Sequence, residues 1–201
     1  DIGIFMDEWK SLYESKSGER GIFNRESANK MADASGRRDI DNHEFGTNPC
    51  SEIILRDREF CNLSEVVIRP TDTKETLLKK VRLATIIGTI QSTLTNFRYV
   101  SSEWKKNCEE ERLLGVSLTG IMDSPLLNKN DSKLADRLNK LREKAVAVNK
   151  EWSSTLGIPQ STAITCVKPS GTVSQLVDSA SGIHARHNPY YIRTVRGDNK
   201  D

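Results

Sequence analysis

The sequence predicts an α/β fold, and three observations carry that expectation. Two long segments place apolar residues at three- and four-residue spacing, the mark of amphipathic helices. Short apolar or β-branched runs lie around them, bounded by Gly, Pro, Asn or Asp. Strands and helices alternate along the chain, which favours parallel pairing. The 201 residues are 36% hydrophobic and 29% charged, enough apolar mass for one packed unit and too much for a disordered tail.

Taken in order, Asp7 to Ser15 reads as a short helix, followed by the polar stretch Ser15 to Gly21. Ala28 to Arg38 is weakly patterned and reads mostly as loop. Residues 42–51, rich in Gly, Asn and Pro, form a loop that runs into a strand at Glu52 to Leu55. Glu65 to Ile68 is a second strand. The clearest helix follows, with Asp72 offering an N-cap and Glu75 the reciprocal partner. Leu77, Val81, Ala84, Ile87, Ile90 and Leu94 make its apolar stripe; Leu78, Leu83 and Ile86 widen it, so burial over most of the helix is expected.

Leu113 to Leu118 reads as a strand ending at Gly120. The next helix begins near Asp131 and steps through Leu134, Leu138, Leu141, Ala145, Val148 and Trp152 until Gly157 and Pro159 stop it. Ala163 to Val167 is a β-branched strand, Pro169 to Thr172 a turn into a short helical run ending at Val177, and Tyr190 to Val195 a last strand. Two helices and about five strands are fewer than a closed parallel barrel needs. With a start on Asp1 and an end on Asp201, the chain reads as a segment of something longer, processing of a short natural protein being the alternative.

Charge and composition exclude several classes. Thirty Lys and Arg against 28 Asp and Glu leave +2, so no global field points to nucleic acid or a membrane. No apolar run approaches the about 20 residues of a transmembrane helix, and no cleavable signal pattern opens the chain. Four cysteines are too few for a disulfide scaffold. A cytoplasmic protein is expected.

Three constellations could carry chemistry. In Asn48-Pro49-Cys50-Ser51-Glu52, an amide, a thiol and a carboxylate share one loop stiffened by Pro49, with Cys61 eleven residues after Cys50. The plain alternative makes Cys50 a small buried hydrophobe and Glu52 a solvated acid at a strand edge. Zinc is disfavoured, because Cys50 and Cys61 lack a second pair at ligand spacing. A Cys–His nucleophile could draw on His43, His184 or His187, and a redox pair requires the fold to bring sulfurs together. The second constellation is Lys168-Pro169-Ser170-Gly171-Thr172 between a strand and a helix, where amides and hydroxyls could cradle an anion; a Ser cap is the alternative. It is not a P-loop, since the spaced first Gly and the Gly-Lys are missing. The third is His184, Arg186 and His187, able to meet phosphate or a cofactor, or to be ordinary polar surface. Cys108, Cys166 and the three tryptophans read as core or incidental residues.

Taken in order, Gly46-Thr47-Asn48-Pro49-Cys50-Ser51-Glu52-Ile53, Cys61-Asn62-Leu63, Lys168 to Thr172, Gly182-Ile183-His184 and Tyr190-Tyr191-Ile192-Arg193 resemble the large catalytic chain of ribonucleotide reductase. Ser15 to Gly21 also fits the region ahead of that family's active-site loop. The resemblance is strongest to the adenosylcobalamin-dependent (class II) type, because Asn-Pro-Cys replaces the Asn-Leu-Cys of the diiron-dependent type. It extends over essentially all 201 residues.

The resemblance implies that residues 1–201 form the C-terminal part of a ten-stranded α/β barrel. A finger loop at about 42–62 would carry the active-site cysteine, and the turn 168–172 would bind phosphate. Cys50 would become a thiyl radical and take the 3′-hydrogen of the ribose. Glu52 would act as base at the 3′-OH, with the Asn48 amide beside it, and Cys61 would be one member of the reducing dithiol. Pro169, Ser170, Gly171 and Thr172 would hold the substrate phosphates, and no residue is implied as a metal ligand. The implied activity is reduction of ribonucleotides to deoxyribonucleotides for DNA replication, with adenosylcobalamin as cofactor, a thioredoxin- or glutaredoxin-like reductant, and the rest of the barrel in cis or on a complementary chain. Neither nucleic acid nor membrane is an expected partner.

The family's other reducing cysteine lies upstream of these residues, and no cobalamin site can be identified here. The segment alone is therefore expected to be inactive. The rival from another class is a non-catalytic nucleotide- or phosphate-binding α/β module whose cysteines are structural.

Overall fold

The structure, a computed structural model, describes residues 1–17, 21–34, 36–192, 194 and 197. Ten helices and strands are described. In chain order they are α1 (Ile2–Ser15), α2 (Arg25–Asp33), β1 (Phe45–Thr47), β2 (Ile54–Arg56), β3 (Asn62–Val67), α3 (Lys74–Gln91), α4 (Ser102–Glu111), β4 (Leu114–Thr119), α5 (Leu134–Leu156) and α6 (Val173–Leu176).

The organising unit is the parallel pair β3–β4, in register from Asn62 opposite Leu114 to Val67 opposite Thr119. A third segment extends it on the far side of β4. Leu114 N–H donates to Ala163 O (3.0 Å), Val116 N–H to Ile164 O (2.9 Å) and Cys166 N–H to Val116 O (3.1 Å). The expected strand Ala163 to Val167 is thus only a parallel bridge at Thr165, because the chain leaves the sheet for the turn at Pro169. The described strands make a mixed α/β unit and do not close into a barrel.

Helices α3 and α5 cover one sheet face. The core joins Val66, Ile68, Leu114, Val116 and Ile164 from the sheet to Leu77, Val81 and Ala84 of α3 and Leu141 and Ala145 of α5. The α5 stripe follows its sequence spacing through Leu141, Ala145 and Val148, while Leu138 is exposed, and Gly157 ends the helix with a left-handed φ of 67°. The α3 stripe follows only in its first half. Leu83, Ile87 and Ile90 are exposed, as is Leu94 beyond the helix end, while Thr85, Gly88 and Thr89 are buried. The reason is close approach on that side. A Cβ at Gly88 would sit 3.2 Å from Leu114, and buried Asn149 of α5 donates to Thr89 Oγ1 (3.1 Å) and Ser161 Oγ (2.9 Å). The cap also shifts by one residue. Thr73 and Thr76 form the reciprocal box, and Asp72 instead accepts from Arg69 N–H and pairs with Lys80.

Other elements depart from the sequence expectation for local reasons. Helix α1 starts earlier, capped by Asp1 accepting from Gly3 N–H (2.7 Å), and buries no residue. Helix α2 forms where a loop was expected, because Asn24 caps it and Ala28 and Ala32 provide a small buried face. Helix α4 has no apolar stripe to read: its buried residues are Asn107, Cys108 and Glu111. Of the expected strand Tyr190 to Val195, Arg193 and Val195 lie outside the described residues and the remainder is not strand. Gly18 to Arg20 of the early polar stretch also lie outside them. Among the described residues no helix is long and apolar enough to cross a membrane.

Candidate active site

The strands β1 and β2 make an antiparallel hairpin with Phe45 opposite Arg56 and Thr47 opposite Ile54. Residues 48–53 connect them, so Asn48, Cys50 and Glu52 all stand on one hairpin loop. Asn48 builds that loop. Its N–H donates to Ile53 O (3.3 Å), its Oδ1 accepts from Ile53 N–H (3.1 Å), and its carbonyl accepts from Ser51 N–H (2.9 Å). Ser51 is held at φ 63°, a conformation that a non-glycine residue keeps only when its surroundings impose it.

A buried charge cluster anchors the hairpin. Arg38 grips Glu111 of α4 through two contacts of 3.0 and 2.6 Å, and Arg56 of β2 meets the same carboxylate at 3.0 Å. The Arg38 guanidinium lies 4.5 Å over the Phe45 ring. Glu59 completes the cluster, accepting from Arg56 N–H (2.9 Å). Burial and the neighbouring Glu111 charge push Glu59 up to about 8.

Across the sheet, Lys168 reaches the loop. Its Nζ lies 2.8 Å from Glu52 Oε1, and Glu52 first, then the nearby Cys50 thiol, raise the ammonium above its usual range. The ammonium sits close to Glu52 as an ion pair, and neither carboxylate oxygen has a well-formed hydrogen bond. Burial opposes the charged form of Glu52. The Lys168 ammonium, the residue's own amide and the Asn48 amide outweigh it, so the carboxyl lies below its usual range. The site therefore offers an ionised carboxylate with spare acceptor capacity.

Cys50 itself is solvent-exposed, against the plain alternative that made it a small buried hydrophobe. Cys61 stands immediately ahead of β3. It shares its surroundings with Cys166, which the sequence left as incidental: a Cβ on Gly115 would lie 3.1 Å from one sulfur and 3.2 Å from the other. Burial first, then the neighbouring Cys166, Glu59 and Glu52, raises the Cys61 thiol; burial first, then Glu52, raises Cys166 to about 12. Both are protonated at neutral pH.

The turn Pro169–Thr172 lines a cavity of about 390 Å³ together with Leu63, Glu65, Ser117 and Lys168. Ser170 is buried with its Oγ unpartnered, and its carbonyl accepts from Ser181 Oγ (2.7 Å) and Ser174 Oγ. The Ser cap weighed from sequence is not formed. Helix α6 is only four residues long, so its dipole adds little to an anion site. Gly182 packs under the turn at φ 53°, where a Cβ would fall 2.9 Å from Lys168 O. In the third constellation Arg186 is committed to Asp123 (3.0 Å) and Asp178 (2.8 Å), which takes it away from the phosphate role considered for it. His184 Nδ1 lies 3.3 Å from Ser181 O, and His187 stacks edge-on with Tyr191.

Fold and site together define an α/β protein in which a cysteine–carboxylate hairpin loop is pinned to the Pro169–Thr172 turn. Comparison with known proteins makes this particular: the chain is similar to adenosylcobalamin-dependent ribonucleotide reductases over most of its length. The adenosylcobalamin-dependent ribonucleoside-triphosphate reductase of Levilactobacillus brevis is 30% identical over 211 residues, spanning 92% of this chain and 28% of that protein. The same-named protein of Lactobacillus leichmannii is 29% identical over 215 residues, with the same coverage. A crystal structure of a B-12 dependent (class II) ribonucleotide reductase superposes with a TM-score of 0.58 at 28% identity, covering 69% of this chain and 22% of that one. No protein-family model matches the chain. The chain thus spans a little over a quarter of the length of these curated relatives.

Proposed function

We propose that this chain is part of the catalytic barrel of an adenosylcobalamin-dependent ribonucleotide reductase. Residues 1–201 would contribute the finger loop at about 42–62 and the phosphate-binding turn at 168–172. One observation carries the reading. The Cys50–Glu52 loop and the Pro169–Thr172 turn, far apart in sequence, meet through Lys168. A ribose whose phosphate tail lay on the turn would have its sugar at the loop.

In this reading a thiyl radical on Cys50 takes the hydrogen from C3′, leaving a carbon radical and restoring the thiol. Glu52, ionised and short of hydrogen-bond partners, accepts the 3′-OH proton as the 2′-oxygen leaves as water. Cys61, kept protonated by burial, belongs to the dithiol that closes to a disulfide as it supplies the proton leaving with the 2′-oxygen and the hydrogen ending on C2′. Glu52 then returns its proton to the 3′-oxygen and the Cys50 thiol returns hydrogen to C3′, restoring the thiyl radical. The Pro169–Thr172 amides and hydroxyls fix the phosphate end, holding C3′ within the about 3–3.5 Å that transfer needs.

Adenosylcobalamin, when bound, would supply the radical that oxidises Cys50. Among the described residues no group of three or more His, Cys, Asp or Glu is placed to hold a free metal ion. What they present is an exposed Cys50 that a radical source can reach. Ribonucleotide as substrate, a thioredoxin-like reductant and a cytoplasmic location go with the same reading. The rest of the barrel would supply the second reducing cysteine, which is why activity is sought in the full-length protein and not in this segment.

Glu52→Gln in the full-length protein tests the assignment. It removes the base while keeping the shape, so kcat for ribonucleotide reduction is expected to fall about 10²–10⁴-fold with KM little changed. A variant that keeps wild-type kcat contradicts the role of Glu52. The rival, a binding module with structural cysteines, expects nucleotide binding and no reduction in the wild-type protein.

A further inference from the structure

Lys168 has no role in the site as drawn from sequence, yet it touches more of it than any other residue. Its ammonium is 2.8 Å from Glu52 Oε1, with the Glu52 side chain 3% exposed and the Lys168 side chain 26% exposed. Glu52 first, and the nearby Cys50 thiol after it, raise that ammonium above its usual range. Its own backbone enters the turn at Pro169, and its carbonyl is the atom that forbids a side chain at Gly182.

We propose that Lys168 is a positioning residue that sets Glu52 and Cys50 against each other and fixes both to the phosphate turn. This rests on the reductase reading of Glu52 as the base at the 3′-OH. A base must be ionised before it takes a proton, and a carboxylate this buried needs a cation to stay so. The charged and titratable groups facing Glu52 are Lys168 from the turn, Cys50 from its own loop, Cys61 ahead of β3 and Cys166 beyond the sheet. The three thiols bring no positive charge, so the cation is Lys168. In the step itself the proton moves from the 3′-oxygen to a Glu52 oxygen; nothing is oxidised or reduced in that transfer. Lys168 touches groups that react and is not assigned a bond-making role.

The experiment compares wild type, Lys168→Met and Lys168→Arg in the full-length protein, with Cys50→Ala as control, reading kcat/KM for ribonucleotide reduction against pH. Methionine keeps the packed stem and removes the charge; arginine keeps the charge on a different head. Activity on the acid side requires ionised Glu52, so loss of the ammonium moves the acid limb to higher pH by about one to three units. Lys168→Arg is expected to return the limb most of the way, and the Lys168→Met loss is expected mainly in kcat. A Lys168→Met profile that is uniformly lower with its acid limb unmoved, or one identical to wild type, overturns the proposal. If wild type fails to reduce ribonucleotides, or Cys50→Ala keeps activity, the reductase reading falls first and takes the proposal with it.

Discussion

Gly115 shows how much one missing side chain can decide. It sits on β4 opposite Leu63, and a Cβ there would meet Leu63 Cδ2 at 2.5 Å and the Cys61 and Cys166 sulfurs at 3.1 and 3.2 Å. The glycine makes room for two thiols on one patch of sheet. Gly115→Ala is expected to cost about 1–3 kcal/mol by overpacking, measured by urea unfolding; a neutral effect would mean that Leu63 and the thiols move aside freely. At this scale the sequence was partly legible. Asn48, Cys50 and Glu52 could be singled out because they share five consecutive positions, and the structure places them on one hairpin loop. Lys168 and Cys166 could not, because what gives them meaning is contact across the sheet, and no spacing along the chain encodes it. The one available signal for Lys168 was its place at the head of the Pro-Ser-Gly-Thr turn.

Among the elements, the cysteine hairpin is held by charge more than by apolar packing. Arg38, Arg56, Glu59 and Glu111 lie buried together between β2 and α4, and Glu59 carries an unpartnered oxygen. Its acid is raised in the fold, so the native chain keeps a proton that the unfolded chain releases above about 4.5. Stability is therefore expected to fall as pH rises from about 4.5 to about 8, the opposite of the slope from a salt-bridged acid. Glu59→Gln, fixed in the neutral form, should flatten that slope in denaturation followed across the same range; an unchanged slope would place the titrating group elsewhere. Such a cluster also explains which elements were hidden in the sequence. Helix α5 was readable because Leu141, Ala145 and Val148 bury at helical spacing, whereas α4 buries an Asn, a Cys and a Glu and leaves no stripe to follow. The α3 pattern misled in its second half, where Thr85, Gly88 and Thr89 take the inside because close packing on β4 and α5 favours small residues.

For the molecule as a whole, the α/β class followed from alternation of pattern, and the parallel β3–β4 pair under α3 and α5 bears it out. The relation to the reductases rested on an ordered set of short motifs, each weak alone, and the relatives from Levilactobacillus brevis and Lactobacillus leichmannii match over 92% of the chain. The exposure of the sulfur was not legible in the same way, since it depends on what is packed over the loop and not on the loop. The most direct measurement takes the full-length protein with Cys50→Ala and follows ribonucleotide reduction and nucleotide binding side by side. Reduction abolished while binding is retained is the expected result. Deoxyribonucleotide still formed without that sulfur would contradict the account.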